Sequence, residues 1–350
     1  MPLVTRVTDL IGNTPLFELA ATESGTRLLL KLEQFNPTGA AKIRMAREMV
    51  LDAERRGLLN DGGHIIESTS GNTGLGLAVV AAERGYRFTA VVDHHACKDK
   101  LRAMQAMGTE LVYVADDGDD TLATSAREDL AEEMAAARPD AYFTEQHNND
   151  ANALGYYAVA DELLDDLERV DILLSAVGTG GSLFGTARRL RDLGRPARVI
   201  GVEPEGSIAF GGEGGPYWQS GTGTPPGATI GTAVDYSLLD EGLKVSDVDA
   251  FATTRAVARK LGLMIGGSAG GSVHAALTRL EEFPAGSTIV TIVCDGGEKY
   301  LDTVFDDAWM AARELLDASA EAQVLALLDR YAPATAPQAP AAPESLVGVR

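Results

Sequence analysis

Short apolar runs alternate with longer amphipathic segments along most of this chain, and this alternation limits the possible folds more than any other feature. Seven runs rich in branched or aliphatic residues predict strands, at 27–33, 64–69, 87–93, 110–114, 171–178, 198–204 and 288–295. Segments typical of helices lie between them, including 40–57, 121–137 and 270–283. Because nearly continuous apolar strands separated by helices form parallel sheets covered on both faces, we predict an α/β protein.

Two stretches interrupt the alternation. The region 205–250 breaks it, and its part 211–227 is so rich in Gly, Pro and Ser that it predicts a long loop. A loop of this length inside a compact enzyme usually has a function. Residues 332–350 are rich in Pro and Ala, which predicts a disordered tail.

The composition predicts a soluble cytoplasmic protein with two lobes. The chain has 350 residues, of which 45% are hydrophobic, enough for two substantial cores. Its 51 acidic and 30 basic residues give a net charge of -21, which argues against nucleic acid or an anionic membrane as partner. A cationic pocket for a small substrate remains compatible with this acidic exterior. No apolar run reaches the roughly 18 residues of a membrane span, and a basic, apolar leader is not seen.

No metal site and no disulfide framework are predicted. The only cysteines, Cys97 and Cys294, are far apart in the sequence, and Cys294 is expected in the core at the end of a strand. His94 and His95 lie beside Cys97 but lack a spaced pair of further ligands. The acidic run 116–120 lacks the final glutamate of a calcium loop, so a solvated turn is expected.

Three glycine-rich turns lie where strands meet helices, at 67–78, 178–185 and 266–272. Such turns expose backbone N–H groups at the positive end of a helix dipole and suit an anion, although tight packing of strand against helix is an equal explanation for any one of them. The dinucleotide pattern fails because Leu183 stands where it needs a glycine. A small anion such as one phosphate monoester is the remaining hypothesis.

Lys42 follows an Asn-Pro-Thr-Gly turn and two alanines, in a stretch with few charges. A lysine is usually a solvated surface charge. The alternative is a desolvated amine of lowered pKa that forms an imine with a carbonyl compound. The surrounding pattern alone leaves both readings open.

Six segments occur in the order found in fold-type II pyridoxal-phosphate enzymes of the cysteine synthase and cystathionine β-synthase family. They are IGNTPL at 11–16, KLEQFNPTGAAKIR at 31–44, TSGNTG at 69–74, GTGGS at 178–182, GGSAG at 266–270 and GGEKYL at 296–301. Each is weak alone, but together they make residues 5–315 resemble this family. The resemblance implies a tryptophan synthase β-like fold with two lobes, each a mostly parallel twisted sheet flanked by helices.

The resemblance also implies a division of the chain. A large cofactor-binding domain would comprise 1–45 and 156–320, and a small mobile domain would comprise 46–155. It further implies a homodimer with small amino-acid substrates.

The resemblance assigns a role to each candidate site residue. Lys42 would form the imine with pyridoxal 5′-phosphate and act as the catalytic base. Asn72 would bind the 3′-oxygen of the cofactor, and Ser268 would face its pyridine nitrogen, where a neutral hydroxyl favours β-elimination over transamination. The phosphate would be held by Gly178, Thr179, Gly180, Gly181 and Ser182. The substrate carboxylate would be held by Thr69, Ser70, Gly71, Thr73 and Gln146.

The implied activity is β-replacement on an O-activated L-serine, either O-phosphoserine or O-acetylserine, through an α-aminoacrylate intermediate to a β-substituted alanine. Several stretches resemble the branch that joins phosphoserine to glutamate on the way to diaminopropionate: 65–72, 91–108, 205–211 and 287–309. The 205–233 loop also departs from the cysteine synthase pattern. We therefore expect a bulky nucleophile, with Tyr217 and Trp218 as an aromatic wall.

Other activities of the same fold stay open. They are a housekeeping cysteine synthase that uses sulfide, a cystathionine β-synthase, and a serine or threonine β-eliminating lyase. A catalytically silent scaffold is a further alternative, since Ala40 and Ile43 replace the usual Ser and Asp of cysteine synthases. Arg44 is expected on a helix surface or an interface rather than as a ligand of a leaving-group phosphate.

Overall fold

The computed structural model describes residues 3–93, 97–114 and 123–333. The expectations for His94 and His95, for the acidic run 116–120 and for most of the Pro- and Ala-rich tail lie outside these residues. Within them, no helix has the length and apolar character needed to cross a membrane.

Ten strands and eleven α-helices make up the described chain. The strands are β1 (Leu16–Ala21), β2 (Arg27–Leu32), β3 (His64–Ser68), β4 (Arg87–Val92), β5 (Glu110–Tyr113), β6 (Ala141–Phe143), β7 (Ile172–Ala176), β8 (Arg198–Pro204), β9 (Glu241–Val245) and β10 (Thr288–Val293). The helices are α1 (Lys42–Arg55), α2 (Asn72–Arg84), α3 (Lys98–Ala106), α4 (Ala123–Ala136), α5 (Asp150–Leu154), α6 (Tyr157–Asp166), α7 (Gly181–Asp192), α8 (Asp247–Leu261), α9 (Gly267–Thr278), α10 (Asp307–Ala311) and α11 (Ala318–Arg330).

The strands form two sheets, one of six strands in the order β1-β2-β10-β7-β8-β9 and one of four in the order β5-β4-β3-β6. All neighbouring strands are parallel except β1 and β2. Alternate residues of β2 show how helices cover both faces of the larger sheet. Leu28 and Leu30 join the core that contains α8 and α9, whereas Leu29 joins the core with Met45 of α1. The predicted α/β fold is confirmed, and the domain boundaries stay a prediction.

All seven predicted strands are present, with ends within two residues of the prediction. The prediction did not name the strands β1, β6 and β9, and it named only three helices explicitly. Two of the missed strands are weak signals, because β6 has three residues and β9 has only two large apolar residues among its five. The predicted helix at 270–283 begins earlier, at Gly267, because the glycine-rich segment itself forms the first turn of α9.

The carboxyl ends of β3, β7 and β10 face one crevice between the two sheets. Each is followed by a turn of small or polar residues, at 69–71, 177–180 and 294–296. Ligands of parallel α/β sheets bind at such ends. Helix α1 begins beside them, since the backbone N–H of Ala41 donates to the carbonyl of Cys294 over 2.8 Å. The topology therefore places Lys42 at the crevice.

A buried ionic cluster lies behind Lys42 and corrects the expectation for Arg44. The Arg44 side chain is 2% exposed and forms ion pairs with Glu33 at 2.6 Å and with Glu162 at 2.8 Å. Glu162 also pairs with the fully buried Lys31 at 2.7 Å. Although burial opposes ionisation, these cations lower the pKa of Glu162 to about 2. Arg44 is therefore a buried structural cation, not a surface, interface or phosphate-binding residue.

We expect Arg44→Met to lower the free energy of unfolding by about 3–5 kcal/mol, because it leaves the buried Glu33 carboxylate without its cation. Arg55→Met removes an exposed arginine that pairs with Glu48 in the same helix, and is expected to cost less than about 1 kcal/mol. Urea unfolding of both variants and the wild type measures the difference. Equal costs for the two variants would contradict this account of the cluster.

Candidate active site

A cavity of about 330 Å³ opens between the two sheets and collects nearly all of the predicted site residues. Of the predicted set, only Gly181 does not line the wall. The residues that do are Lys42, Thr69, Ser70, Gly71, Asn72, Thr73, Gln146, Gly178, Thr179, Gly180, Ser182 and Ser268. Residues far apart in the sequence thus meet at the carboxyl ends of the strands.

Lys42 is the first residue of α1, and its Nζ donates a hydrogen bond to Oγ1 of Thr179 over 3.3 Å. Burial lowers the pKa of Lys42, while the nearby Cys294 and Glu67 act in the opposite direction. A lowered pKa leaves more of the amine neutral near pH 7, as nucleophilic attack or proton abstraction requires. Of the two readings that the sequence left open, the structure favours the desolvated amine.

The turn after β7 has two positions, Gly178 and Gly180, at which a side chain would not fit. Gly180 has a φ of 89°, and a Cβ there would lie 2.7 Å from the backbone nitrogen of Val234. A Cβ on Gly178 would lie 2.8 Å from the carbonyl oxygen of Gly221. Gly181 is required for another reason, since its Cβ would overlap the buried Asn152. The glycines therefore let the turn pack closely against its neighbours, and the N-terminus of α7, which starts at Gly181, can offer backbone N–H groups to an anion.

The loop after β3 presents hydroxyl and amide groups to the opposite side of the cavity. Thr69 Oγ1 accepts from the backbone N–H of Gly74 over 3.0 Å, which holds the loop against the start of α2. Thr73 Oγ1 donates to Oε1 of Gln146 over 2.7 Å. Ser70 Oγ lies 3.3 Å from a guanidinium nitrogen of Arg127. These groups suit a carboxylate, which stays the predicted ligand.

Asn72 joins the two sheets through a network that the sequence did not reveal. Its Nδ2 donates to Asp295 over 2.7 Å, and its Oδ1 accepts from Lys299 over 2.9 Å. The Tyr300 hydroxyl donates to the same Asp295 oxygen over 2.7 Å. Because the amide oxygen faces an ammonium group, the orientation of the amide is fixed, and Nδ2 keeps a second hydrogen for a ligand. The only sequence feature that pointed to this network was the position of Lys299 and Tyr300 in the GGEKYL segment.

Cys294 packs against the core, as expected, and also lines the cavity, whereas Trp218 lies elsewhere than expected. Cys294 is one residue beyond β10 and lines the cavity, because the strand ends at Val293. Burial raises its pKa to about 12, so it is a neutral thiol. Tyr217 lines the cavity, whereas Trp218 packs edge-on against Trp309, with ring centroids 5.6 Å apart. The expected aromatic wall therefore consists of Tyr217 alone.

Glu67 lies near the end of β3, just before the loop at 69–73, and is 1% exposed. It accepts hydrogen bonds from Thr144 Oγ1 and from the backbone N–H of Gln146. Burial raises its pKa to about 7, which these hydrogen bonds only partly offset. The sequence placed Glu67 in a strand and gave no sign that its side chain is buried below Gln146.

Ser268 lies in the first turn of α9, is 5% exposed and lines the cavity. Its predicted position opposite a pyridine nitrogen stays a prediction.

In the described residues, no group of three or more His, Cys, Asp or Glu side chains is arranged to hold a metal ion.

The residues present fit pyridoxal phosphate. The cavity offers the Lys42 amine for the aldehyde, the glycine turn before α7 for the phosphate, and a fixed amide for the ring oxygen. Its volume is within the range of small-molecule sites.

Comparisons with known proteins agree with this geometry. The family model described as "Pyridoxal-phosphate dependent enzyme" matches residues 7–295. A protein of Sinorhizobium fredii described as "Putative cysteine synthase" is 48% identical over 92% of this chain and 96% of its own length. O-ureido-L-serine synthase of Streptomyces lavendulae is 35% identical over 89% of this chain and 98% of its own. A crystal structure of O-ureido-L-serine synthase aligns with a TM-score of 0.80, at 34% identity, over 89% of this chain and 100% of that chain.

We expect Gly180→Ala to weaken pyridoxal-phosphate binding by about tenfold or more, because a Cβ at positive φ is strained and also displaces the 233–234 backbone. Gly194→Ala is the matched control, since Gly194 also has positive φ but nothing lies within 4 Å of its Cβ position. Titration of the cofactor-free protein, followed by absorbance, measures the dissociation constant. Unchanged affinity in Gly180→Ala would contradict the assignment of this turn.

A second prediction concerns pH. Because the pKa of Glu67 is about 7 in the folded state against 4.5 ordinarily, the folded state holds more protons between these values, and stability falls as pH rises through this window. We expect Glu67→Gln to remove this loss, so that its free energy of unfolding relative to wild type improves from pH 5 to pH 8 by on the order of 2 kcal/mol. Urea unfolding at both pH values measures it, with the exposed Glu132→Gln as control. Parallel pH profiles of Glu67→Gln and wild type would contradict it.

Proposed function

Because this chain belongs to the pyridoxal-phosphate-dependent enzyme family, and within it to the β-replacing group of cysteine synthases and their relatives, we propose that it converts an O-activated L-serine to a β-substituted alanine. The observation that supports this most is the convergence at one cavity. The Lys42 amine, the glycine turn at 178–181 and the polar loop at 69–73 reach it from different elements.

The cofactor, when bound, supplies a ring that withdraws electrons from the α-carbon of the amino acid. Lys42 is the group that removes the proton from this carbon and later returns it, and its lowered pKa favours the neutral amine needed for the first of these steps. Residues 69–73 would bind the α-carboxylate and so orient the α-hydrogen toward Lys42. The leaving group departs from the β-carbon, and a nucleophile then adds there.

Water must be excluded from the cavity after the leaving group has departed and before the nucleophile adds to the β-carbon. At the edge of the cavity, the hydrogen bonds of Asn72 with Asp295 and Lys299 join two parts of the chain. The smaller sheet unit is the part that contains the four-stranded sheet, and the larger sheet unit is the part that contains the six-stranded sheet. We propose that residues 46–155 move as a unit and that this contact forms as the cavity closes.

The two departures from cysteine synthases do not favour a silent scaffold. Ala40 and Ile43 are fully buried, and neither lines the cavity. Ile43 packs where α1 approaches Gly76 of α2, because a Cβ on Gly76 would lie 3.0 Å from its Cα. An aspartate at position 43 would be buried in an apolar contact, whereas isoleucine fits it. The chemical groups of the cavity are therefore intact.

We propose an amino acid or another bulky amine as the nucleophile, in a specialised route such as the formation of a diaminopropionate precursor. The 205–233 loop contributes Tyr217, Ser220 and Thr222 to the cavity wall. Sulfide needs no hydrogen-bonding groups, whereas a larger nucleophile is bound by such hydroxyls. The similarity to O-ureido-L-serine synthase is compatible with an acceptor other than sulfide.

The test supplies O-phosphoserine or O-acetylserine with sulfide, glutamate and other amines in turn, and identifies the products by mass spectrometry. We expect an amine product at higher kcat/KM than cysteine, and no product from Lys42→Ala because the proton-transferring amine is gone. A clear preference for sulfide, at roughly 10⁴ M⁻¹s⁻¹ or above, would instead identify a cysteine synthase. Wild-type rates in Lys42→Ala would overturn the assignment of the base.

A further inference from the structure

Lys100 is a buried cation for which the proposed reaction has so far no role. It lies in α3, is 8% exposed and lines the cavity. Its Nζ lies 5.0 Å above the ring of Tyr300, which belongs to the larger sheet unit. Among the described residues, no carboxylate lies within ion-pair distance of this ammonium group.

A buried charge normally has a partner of opposite sign, because leaving water costs far more than one aromatic contact returns. The carboxylate of Asp295 accepts hydrogen bonds from Asn72 and Tyr300 at Oδ2, while its Oδ1 has no hydrogen-bond partner in the described part of the chain. Asp295 and Glu128 line the same cavity, but among the described residues neither forms an ion pair with Lys100, so its ammonium group is open to an anionic ligand.

The other cations near the cavity differ from Lys100 in this respect. Arg127 forms an ion pair with Asp93 and contacts Ser70. Lys299 donates to the amide of Asn72 and to the carbonyl of Thr38. Lys42 is the proposed base. Among the described cations of the cavity other than this base, Lys100 is thus the one without an ion-pair partner, and its charge is open to a ligand.

We infer that Lys100 binds a second anionic group of the substrates, separate from the α-carboxylate. This inference rests on the proposed β-replacement and narrows its substrate class. The anion is either the phosphate leaving group of an O-phosphorylated serine or the side-chain carboxylate of an incoming amino acid. Both present oxygen acceptors to an ammonium group, and a charge-assisted hydrogen bond forms in either case.

The experiment compares Lys100→Met with wild type on substrates that differ in one charge. O-phospho-L-serine is compared with O-acetyl-L-serine, both with sulfide as acceptor. Glutamate is compared with glutamine, both with O-acetyl-L-serine. Lys98→Met is the matched control, because Lys98 lies in the same helix and is exposed.

We expect Lys100→Met to lower kcat/KM for one charged substrate about tenfold to a hundredfold, mainly through KM, and to change the neutral counterpart less than about twofold. A selective loss with O-phospho-L-serine identifies the leaving-group phosphate, and a selective loss with glutamate identifies the acceptor carboxylate. Lys100→Arg, which keeps the charge, should restore part of the loss. Equal loss on charged and neutral substrates, or no loss, would overturn the inference.

A binding measurement separates this inference from the proposed function. Calorimetry of the holoenzyme with O-phospho-L-serine, L-glutamate and the uncharged-side-chain L-serine requires no turnover. If Lys100→Met weakens the binding of a charged ligand but not that of L-serine, the inference is supported, even when no acceptor gives a product. The absence of any product would contradict only the proposed β-replacement. Unchanged binding of both charged ligands would overturn the role of Lys100, whatever reaction the enzyme catalyses.

Discussion

The buried cluster of Lys31, Glu33, Arg44 and Glu162 is the interaction on which the position of Lys42 depends. Lys31, Glu33 and Arg44 are almost fully buried and Glu162 is partly exposed, and removal of Arg44 leaves the Glu33 carboxylate without the cation that it pairs with. Arg44 lies two residues after Lys42 in the first turn of α1, and both ends of its guanidinium are held. Since a helix is rigid over one turn, fixing Arg44 fixes the point from which the Lys42 side chain reaches the cavity. The cluster thus positions the amine without contacting the substrate.

The opposite wall of the cavity is positioned from the other sheet. Asn72 begins α2 in the smaller sheet unit, yet its amide is held by Asp295 and Lys299 of the larger one. Burial lowers the pKa of Lys299 to about 8. Its charge is therefore partly lost as pH rises above that value, while the hydrogen bond from Asn72 to Asp295 still orients the amide. The junction between the units and the chemistry of the cavity share the same side chains.

Much of the fold was predictable from local sequence pattern, whereas the residues of the cavity wall were predicted from the resemblance to the enzyme family. The strand at 198–204, for example, was predicted from its branched apolar residues, and the turn at Gly178 and Gly180 from its glycines. The burial of Arg44 was not predictable, since its partner Glu162 is distant in the sequence. Cys294 packs against the core as predicted, but the strand ends two residues before its predicted end, and the thiol also lines the cavity. The periodicity of apolar residues does not determine which distant residues pair with one another or where a strand ends.

Several cations line the cavity, although the protein as a whole is strongly acidic. The protein has a net charge of -21, which repels anions at long range, yet Lys42, Lys100 and Arg127 all reach one small cavity. Because ions screen exposed charges beyond about 8–10 Å, the acidic exterior weakly affects a substrate once it has entered. Inside, the low dielectric strengthens the attraction of each cation. Recognition of a charged ligand therefore depends on the geometry of a few side chains of the cavity wall and not on steering from the surface.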